Sequence, residues 1–413
     1  MARLFDISLE EEQVVVEPVD TTEVIEDVQE QVALEEEVLQ DLEKQEEGEE
    51  AVAILENQAT QNEEVVENAP ESVTEDMVQA SNECMAFCFG KLGVDLPKLT
   101  SIKYSQESAS NPTQKLSIST ESIKDVIKSI IERLKLFFKQ ILVKIKQLYS
   151  KVMAHFNRLE KRSEAIMQQW QALGGKSLVV GESSLNYING KLAAWKALDG
   201  KINFKSIVQQ IDPKTVYSAF YGSVSEVTSE VAKTGIKDKV AEKVKKLFFM
   251  VSKYIPVSTS ASSKYISSDE DLEIGMIIRV YNDGIGCIGL TPGGEPMFKR
   301  IDIPASDLSV DASSVDVGSI DGQLFGNIKK LGQQLKSLKD HLNKDHSAML
   351  DKISNNIKDD VDDPEKAKAA RLAASYGKLI CTRVYTDCVL NATSNASYVL
   401  TAVEKIINNS KSK

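Results

Sequence analysis

Few side chains in this sequence could do chemistry, and their spacing argues against it. The three histidines, His155, His341 and His346, have no paired carboxylate or cysteine at ligand spacing. The five cysteines, Cys84, Cys88, Cys287, Cys381 and Cys388, include no Cys-x-x-Cys pair. They read as reduced, packed thiols rather than as a disulfide framework or a zinc site. No Ser-His-Asp, Cys-His, Walker or His-Glu-x-x-His arrangement occurs. The run Asp359-Asp360-Val361-Asp362-Asp363 offers the oxygen ligands a divalent cation takes, but such a run is more often a solvated turn between helices. Gly284, Gly286 and Gly289 lack the helix that must follow a phosphate loop. Asn391-Ala392-Thr393 and Asn395-Ala396-Ser397 match the glycosylation acceptor but fall inside a helical pattern. The expectation is a protein that is not an enzyme, with no catalytic residue, no cofactor and no metal.

The informative chemistry is charge. Residues 1–100 hold 28 acidic and 4 basic side chains, a net of −24, whereas residues 101–413 hold 34 acidic and 45 basic ones, a net of +11. The overall −13 therefore hides two bodies of opposite sign. One reading is an acidic tail that only confers solubility. The sharper one is that the acidic segment masks the basic body, because a surface near −24 repels nucleic acid and attracts a cationic partner.

Charges on this scale have to be positioned by long elements. With 42% apolar but only 6% aromatic residues, the composition suits long amphipathic helices better than sandwiches or barrels. No apolar run follows Met1, and the most apolar stretch, Leu134 to Leu148, carries Lys135, Lys139, Lys144 and Lys146, so neither a secretory signal nor a membrane span is expected. Ile25, Val28, Val32, Leu39 and Leu42 recur at helical spacing in the acidic segment. A second short helix, from about Ser72 to Gly90, is expected to place Met77, Ala80, Cys84 and Cys88 on one face.

Between Lys98 and Ser119 the periodicity fails in a stretch rich in Ser, Asn and Pro, which reads as a linker. A long helix is then predicted from about Thr120 to Leu173, with Ile123, Ile127, Ile130, Leu134, Phe137, Ile141, Ile145, Leu148, Val152, Phe156 and Leu159 on its apolar face. Its opposite face carries Lys124, Lys128, Lys135, Lys139, Lys146, Lys151, Arg158, Lys161 and Arg162. Gly174-Gly175 ends that helix and Asp212-Pro213 starts another. Ile236, Val240, Val244, Leu247, Val251 and Tyr254 line a further lysine-rich helix.

Three short antiparallel strands are expected at Gly275–Tyr281, Ile285–Leu290 and Met297–Ile303. The near-heptad seam Leu324, Ile328, Leu331, Leu335, Leu338, Leu342, Met349 and Ile353 calls for a long partner helix. That partner opens at Asp363-Pro364 and buries Ala373, Tyr376, Ile380, Val384, Cys388, Val399, Val403 and Ile406. The predicted fold class is mainly α: long amphipathic helices and a C-terminal helical hairpin with a small antiparallel β insert at about 264–312. The expected units are an acidic helical segment (1–107), a linker (108–119), the long basic helix (120–173), a helical region (174–260), the β insert (261–315) and the hairpin (316–413).

The acidic segment, the Ser-Gln-Glu tripeptide in an open linker, the Leu-Ser-Ile-Ser-Thr-Glu-Ser-Ile opening of a lysine-rich helix, and Asn157-Arg158-Leu159-Glu160-Lys161-Arg162-Ser163-Glu164-Ala165-Ile166 near its end occur in this order. The chain thereby resembles the internal head, or prohead core, proteins of large tailed bacteriophages, best over about residues 70–175. The resemblance implies a precursor made in the host cytoplasm, packed inside the capsid and cut by the phage's prohead maturation protease after a small residue, any residue and Glu. Ser105-Gln106-Glu107, followed by Ser108, fits that pattern. So do Ser81-Asn82-Glu83, Ser119-Thr120-Glu121 and Ser268-Asp269-Glu270, but an open linker suits a protease better than a helix. The remaining partners expected are other capsid or core proteins and genomic DNA, met by the lysines and arginines of the long helix through phosphate without base readout. Two alternatives stand beside this reading. One is a membrane-active protein whose long helix lies on a bilayer after ejection. The other is a helical scaffold that keeps its acidic segment as an intramolecular mask.

Overall fold

Local sequence signals fix where most helices begin. In the computed structural model, which describes residues 21–92, 105–209, 213–252, 264–266, 274–338 and 364–411, the chain is mainly helical with one small sheet. The acidic segment forms α1 (Thr21–Asn68) and α2 (Glu75–Leu92). The long helix, α3, spans Pro112–Ala172, 61 residues or on the order of 90 Å. It starts at Pro112 rather than at Thr120, so the expected linker of 108–119 is corrected to a short turn ahead of Pro112. The Asn111 side chain accepts a hydrogen bond from the Gln114 amide at 2.8 Å and Pro112 takes the first helical position, where its missing N–H costs nothing. Gly174 and Gly175 end α3 with φ of 57° and 87°.

Short helices α4 (Glu182–Lys191), α5 (Ala193–Asp199) and α6 (Phe204–Gln209) follow, then α7 (Pro213–Thr234) and α8 (Lys237–Ser252). Ile236, expected on the buried face of α8, precedes that helix and is exposed, while Val240, Val244, Leu247 and Val251 are buried; Tyr254 lies outside the described residues. The sheet consists of β1 (Ile274–Val280), β2 (Gly284–Leu290) and β3 (Pro296–Asp302), antiparallel in the order β1-β2-β3. A helix over 322–338, here α9, precedes α10 (Pro364–Leu379), a π-helical turn (Ile380–Val384) and α11 (Tyr385–Lys411).

Two large cores hold the body. One packs α3 from Leu148 onward, and its C-cap Leu173, with α4–α6, α9 and α11; the other packs Ile141 and Ile145 with α7, α8 and α10. The sheet lies between them, which explains why every residue of β2 is buried. Ile285 and Cys287 face the first core and Ile288 and Leu290 the second. A bulge between Ile277 and Arg279 lets β1 send Met276 and Ile278 to one core but Ile277 and Val280 to the other. Gly284 is required where β2 begins, because a Cβ there would lie 2.7 Å from the Ile301 carbonyl oxygen.

Polar groups close the same interface. Asn391 accepts from the Val280 amide at 3.0 Å, Asn395 donates to Asn391 at 3.1 Å, and Trp195 donates to Asn395 at 3.3 Å. Both glycosylation-like asparagines are thus buried structural groups. Arg279 pairs at 3.1 Å with Asp387, whose side chain is 1% exposed. Of the expected seam, Leu324, Ile328, Leu331, Leu335 and Leu338 are buried and share a core with α3 and α11. Leu342, Met349, Ile353 and the acidic run at 359–363 lie outside the described residues.

Candidate processing site and charge-paired interface

The acidic segment meets α3 through a seam of its own. Ala51 of α1 is buried, and beside it the buried positions Val38, Asp41, Gln45, Gly48, Val52, Leu55, Ala59 and Asn62 alternate steps of three and four, a heptad stripe that suits two long helices packed side by side. Half of these positions are polar or glycine. Val52, Leu55 and Ala59 of the stripe, with Ala51 beside it and Met85, Cys88 and Phe89 of α2, pack on Ile123, Val126, Ile127 and Ile130 of α3 in a small separate cluster. Only Leu34 and Val38, among the described side chains of α1 and α2, reach the two body cores. On α2 the buried face is Val78, Ser81, Met85, Cys88 and Phe89, and Ala80 is exposed. The expected face is therefore rotated, because Ser81 enters the interface as a hydrogen-bonding residue. Burial of the Cys88 thiol, with Cys84 beside it, pushes its pKa up to about 11, so it stays protonated and inert.

Ion pairs flank this seam. Lys144 pairs with Asp41 at 2.5 Å and Glu37 at 2.6 Å, Lys115 with Glu75 at 2.6 Å, Lys124 with Glu63, and Arg371 of α10 with Glu56. Hydrogen bonds donated to the carboxylates raise the pKa values of Lys144 and Lys124. Glu56 moves the other way from an ordinary ion-paired carboxylate: burial raises its pKa, and Arg371 only partly offsets this.

Of the nine cationic residues expected on the outer face of α3, Lys124 is drawn into this interface and Arg162 pairs with Glu404 of α11 at 2.5 Å. Lys128, Lys139, Lys146, Lys151 and Lys161 are exposed, Arg158 is half-buried, and the Lys135 side chain lies outside the described residues. Lys115, Lys144 and Arg371 were not among the nine. The signal for Lys144 was present: it lies beside Ile141 and Ile145, at the edge of the apolar stripe, which is where a second helix places its flanking charges. The apolar face of α3 is itself occupied, since Ile123, Ile127, Ile130, Ile141, Ile145, Leu148, Val152, Phe156 and Leu159 are all buried against protein. Among the described residues no helix is long and apolar enough to cross a membrane.

The tripeptide Ser105-Gln106-Glu107 is not the extended chain that an open linker predicts. It forms one helical turn that ends at Ser108, whose hydroxyl donates to the Ser105 carbonyl at 2.7 Å. Ser105, Glu107 and Ser108 are exposed, but Gln106 is only 5% exposed. Its side chain forms a reciprocal amide pair with Asn82 of α2, at 2.9 and 3.1 Å. The pair continues into a buried polar chain. Ser119 donates to Asn82 at 3.3 Å, Ser119 and Ser81 share a hydrogen bond of 2.9 Å, and Asn62 of α1 donates to Ser81 at 2.9 Å. One network thus ties α1, α2, α3 and the turn together. Ser119 and Thr120 are buried within α3 and Ser81 is buried within α2, so both alternative tripeptides sit in long helices; Ser268 lies outside the described residues.

His155 is buried, and desolvation together with Arg162 lowers its pKa, so it sits neutral in the core. His341 and His346 lie outside the described residues. Among those residues no group of three or more His, Cys, Asp or Glu is placed to hold a metal ion.

A family model of the phiKZ-like phage internal head proteins matches residues 11–233, more than half of the chain. The match runs from the acidic segment through α7, wider than the 70–175 over which the sequence resemblance was best. No curated protein and no solved structure matches the chain.

Proposed function

The chain belongs to the phiKZ-like phage internal head proteins, structural proteins of the virion interior, and from that premise we propose that it is a precursor whose acidic segment masks a basic body until it is cut away. The observation that carries this is the division of packing. The two body cores close almost without the acidic segment, which is held instead by a small cluster, a polar-rich seam and ion pairs to Lys115, Lys124, Lys144 and Arg371. A covering element held this way can be removed without unfolding what it covers.

The cut proposed lies between Glu107 and Ser108. Hydrolysis there adds water across the peptide bond, leaving a carboxylate on Glu107 and an amino group on Ser108. Residues 108–413 then keep 44 basic and 33 acidic side chains, a net of +11. That charge suits non-specific packing against DNA phosphates inside the head. The test is co-expression of the full chain with the head maturation protease. The expected product begins at Ser108, and Glu107→Gln is expected to abolish it. Unaltered cutting of that variant at the same bond would remove Glu107 from the argument.

The same ion pairs favour a second reading, a scaffold that keeps its acidic helix as a permanent intramolecular mask. It differs in one observable: the full-length chain would persist in finished particles.

A further inference from the structure

Cutting a chain does not separate its parts when they are packed together, and α1 and α2 are packed on α3 along its first half. We propose that the acidic segment stays docked after the chain is cut, as a non-covalent ligand of α3, and that duplex DNA displaces it by competing for the same cations. The proposal rests on the reading that the chain is cut near Glu107, and adds what the cut alone does not accomplish.

The site on the body is defined by what α1 and α2 cover. Its floor is the apolar strip Ile123, Ile127 and Ile130, and its rim is Lys124, Lys144 and Arg371, each paired with a carboxylate of α1. This surface fits an acidic amphipathic helix: apolar in the middle, cationic at both edges. The structure shows that occupant seated, and none of the contacts requires the covalent link at 107–108.

Three features make the docking reversible. The seam places Asp41, Gln45, Gly48 and Asn62 where a permanent helix pair would place branched apolar residues. The rim pairs are partly exposed and so are weakened by salt. A polyanion has somewhere to land first, because Lys128, Lys139 and Lys161 of α3 remain exposed while α1 is in place. DNA held there has a high local concentration next to the rim, and each phosphate that takes a rim cation removes a partner from α1.

The experiment uses the full chain carrying a recognition sequence for a site-specific protease between Ala109 and Ser110. The cut protein is run on a sizing column in low salt, in high salt, and in low salt with a duplex of about thirty base pairs. The expected result is co-elution of the two pieces in low salt, and their separation in high salt and with the duplex. Lys144→Glu, which reverses one rim position holding two carboxylates, should weaken retention about ten-fold. Circular dichroism of that variant before cutting checks that it is folded. Separation in low salt without DNA would overturn the docking. A complex holding both pieces and the duplex would overturn the displacement. Because the cut is made by an introduced sequence, neither outcome depends on where the phage protease acts, which the N-terminus of the particle form reports separately.

Discussion

Gln106 is the residue whose role most depends on structure. In the sequence it is the unconstrained middle position of the proposed cleavage tripeptide; in the fold it is the one buried side chain of that tripeptide, paired with Asn82. A protease that needs an extended substrate must first break that pair. Each such bond contributes roughly 0.5–1.5 kcal/mol net, so losing two lowers the opening cost enough for roughly ten-fold faster cutting. Gln106→Ala is therefore expected to be cut after Glu107 about ten-fold faster than the parent chain in a time course of precursor loss. An unchanged rate would mean the turn does not have to open. The amide pair was not legible beforehand, since Gln106 and Asn82 are 24 positions apart and polar. What was legible nearby was misassigned. Asp212-Pro213 and Asp363-Pro364 each read correctly as helix starts, and Asn111-Pro112 is the same signal, hidden by the serines and asparagine around it.

At the scale of elements, α1 and α3 illustrate opposite cases. The apolar stripe of α3 is continuous, and periodicity alone located its buried face. The described half of α1 buries Asp41, Gln45, Gly48 and Asn62 in its stripe, and a search for apolar spacing passes over those positions. The pairing of the two helices is electrostatic enough to have a pH signature. Lys124 and Lys144 have pKa values raised above the ordinary 10.5 by the carboxylates of α1. A raised lysine pKa stabilises the docked state fully below pH 10.5, and that stabilisation is lost as pH rises through the shifted value. Docking of α1 is expected to hold from neutral pH to about 10 and to loosen beyond 10.5, with small-angle scattering showing an expanded particle while the body stays folded. A particle of constant size up to the pH at which the body itself unfolds would contradict this. Glu56 adds a smaller trend of the same sign, because a raised carboxylate pKa favours the docked state at low pH and loses that contribution as pH rises.

On the scale of the whole molecule, the charge split of −24 against +11 is converted by the fold into an acidic cover over part of a basic body. Composition made the two signs visible, and helical periodicity together with the turn signals made the mainly α class and the three strands visible. The sharing of two cores between α3, the sheet and the C-terminal helices was not visible. It depends on the β1 bulge and on buried polar groups such as Asn391 and Asp387, which pattern reading assigns to other uses. Membership in a family of internal head proteins gives the proposed removal of the cover a setting, the virion interior. The measurement that tests this most directly is the mass and N-terminus of the protein in purified mature particles, compared with the form in expressing cells. The account predicts a full-length precursor in cells and a particle form beginning at Ser108. A particle form beginning at Met1 or Ala2 would contradict it and leave the acidic helix as a permanent part of a scaffold.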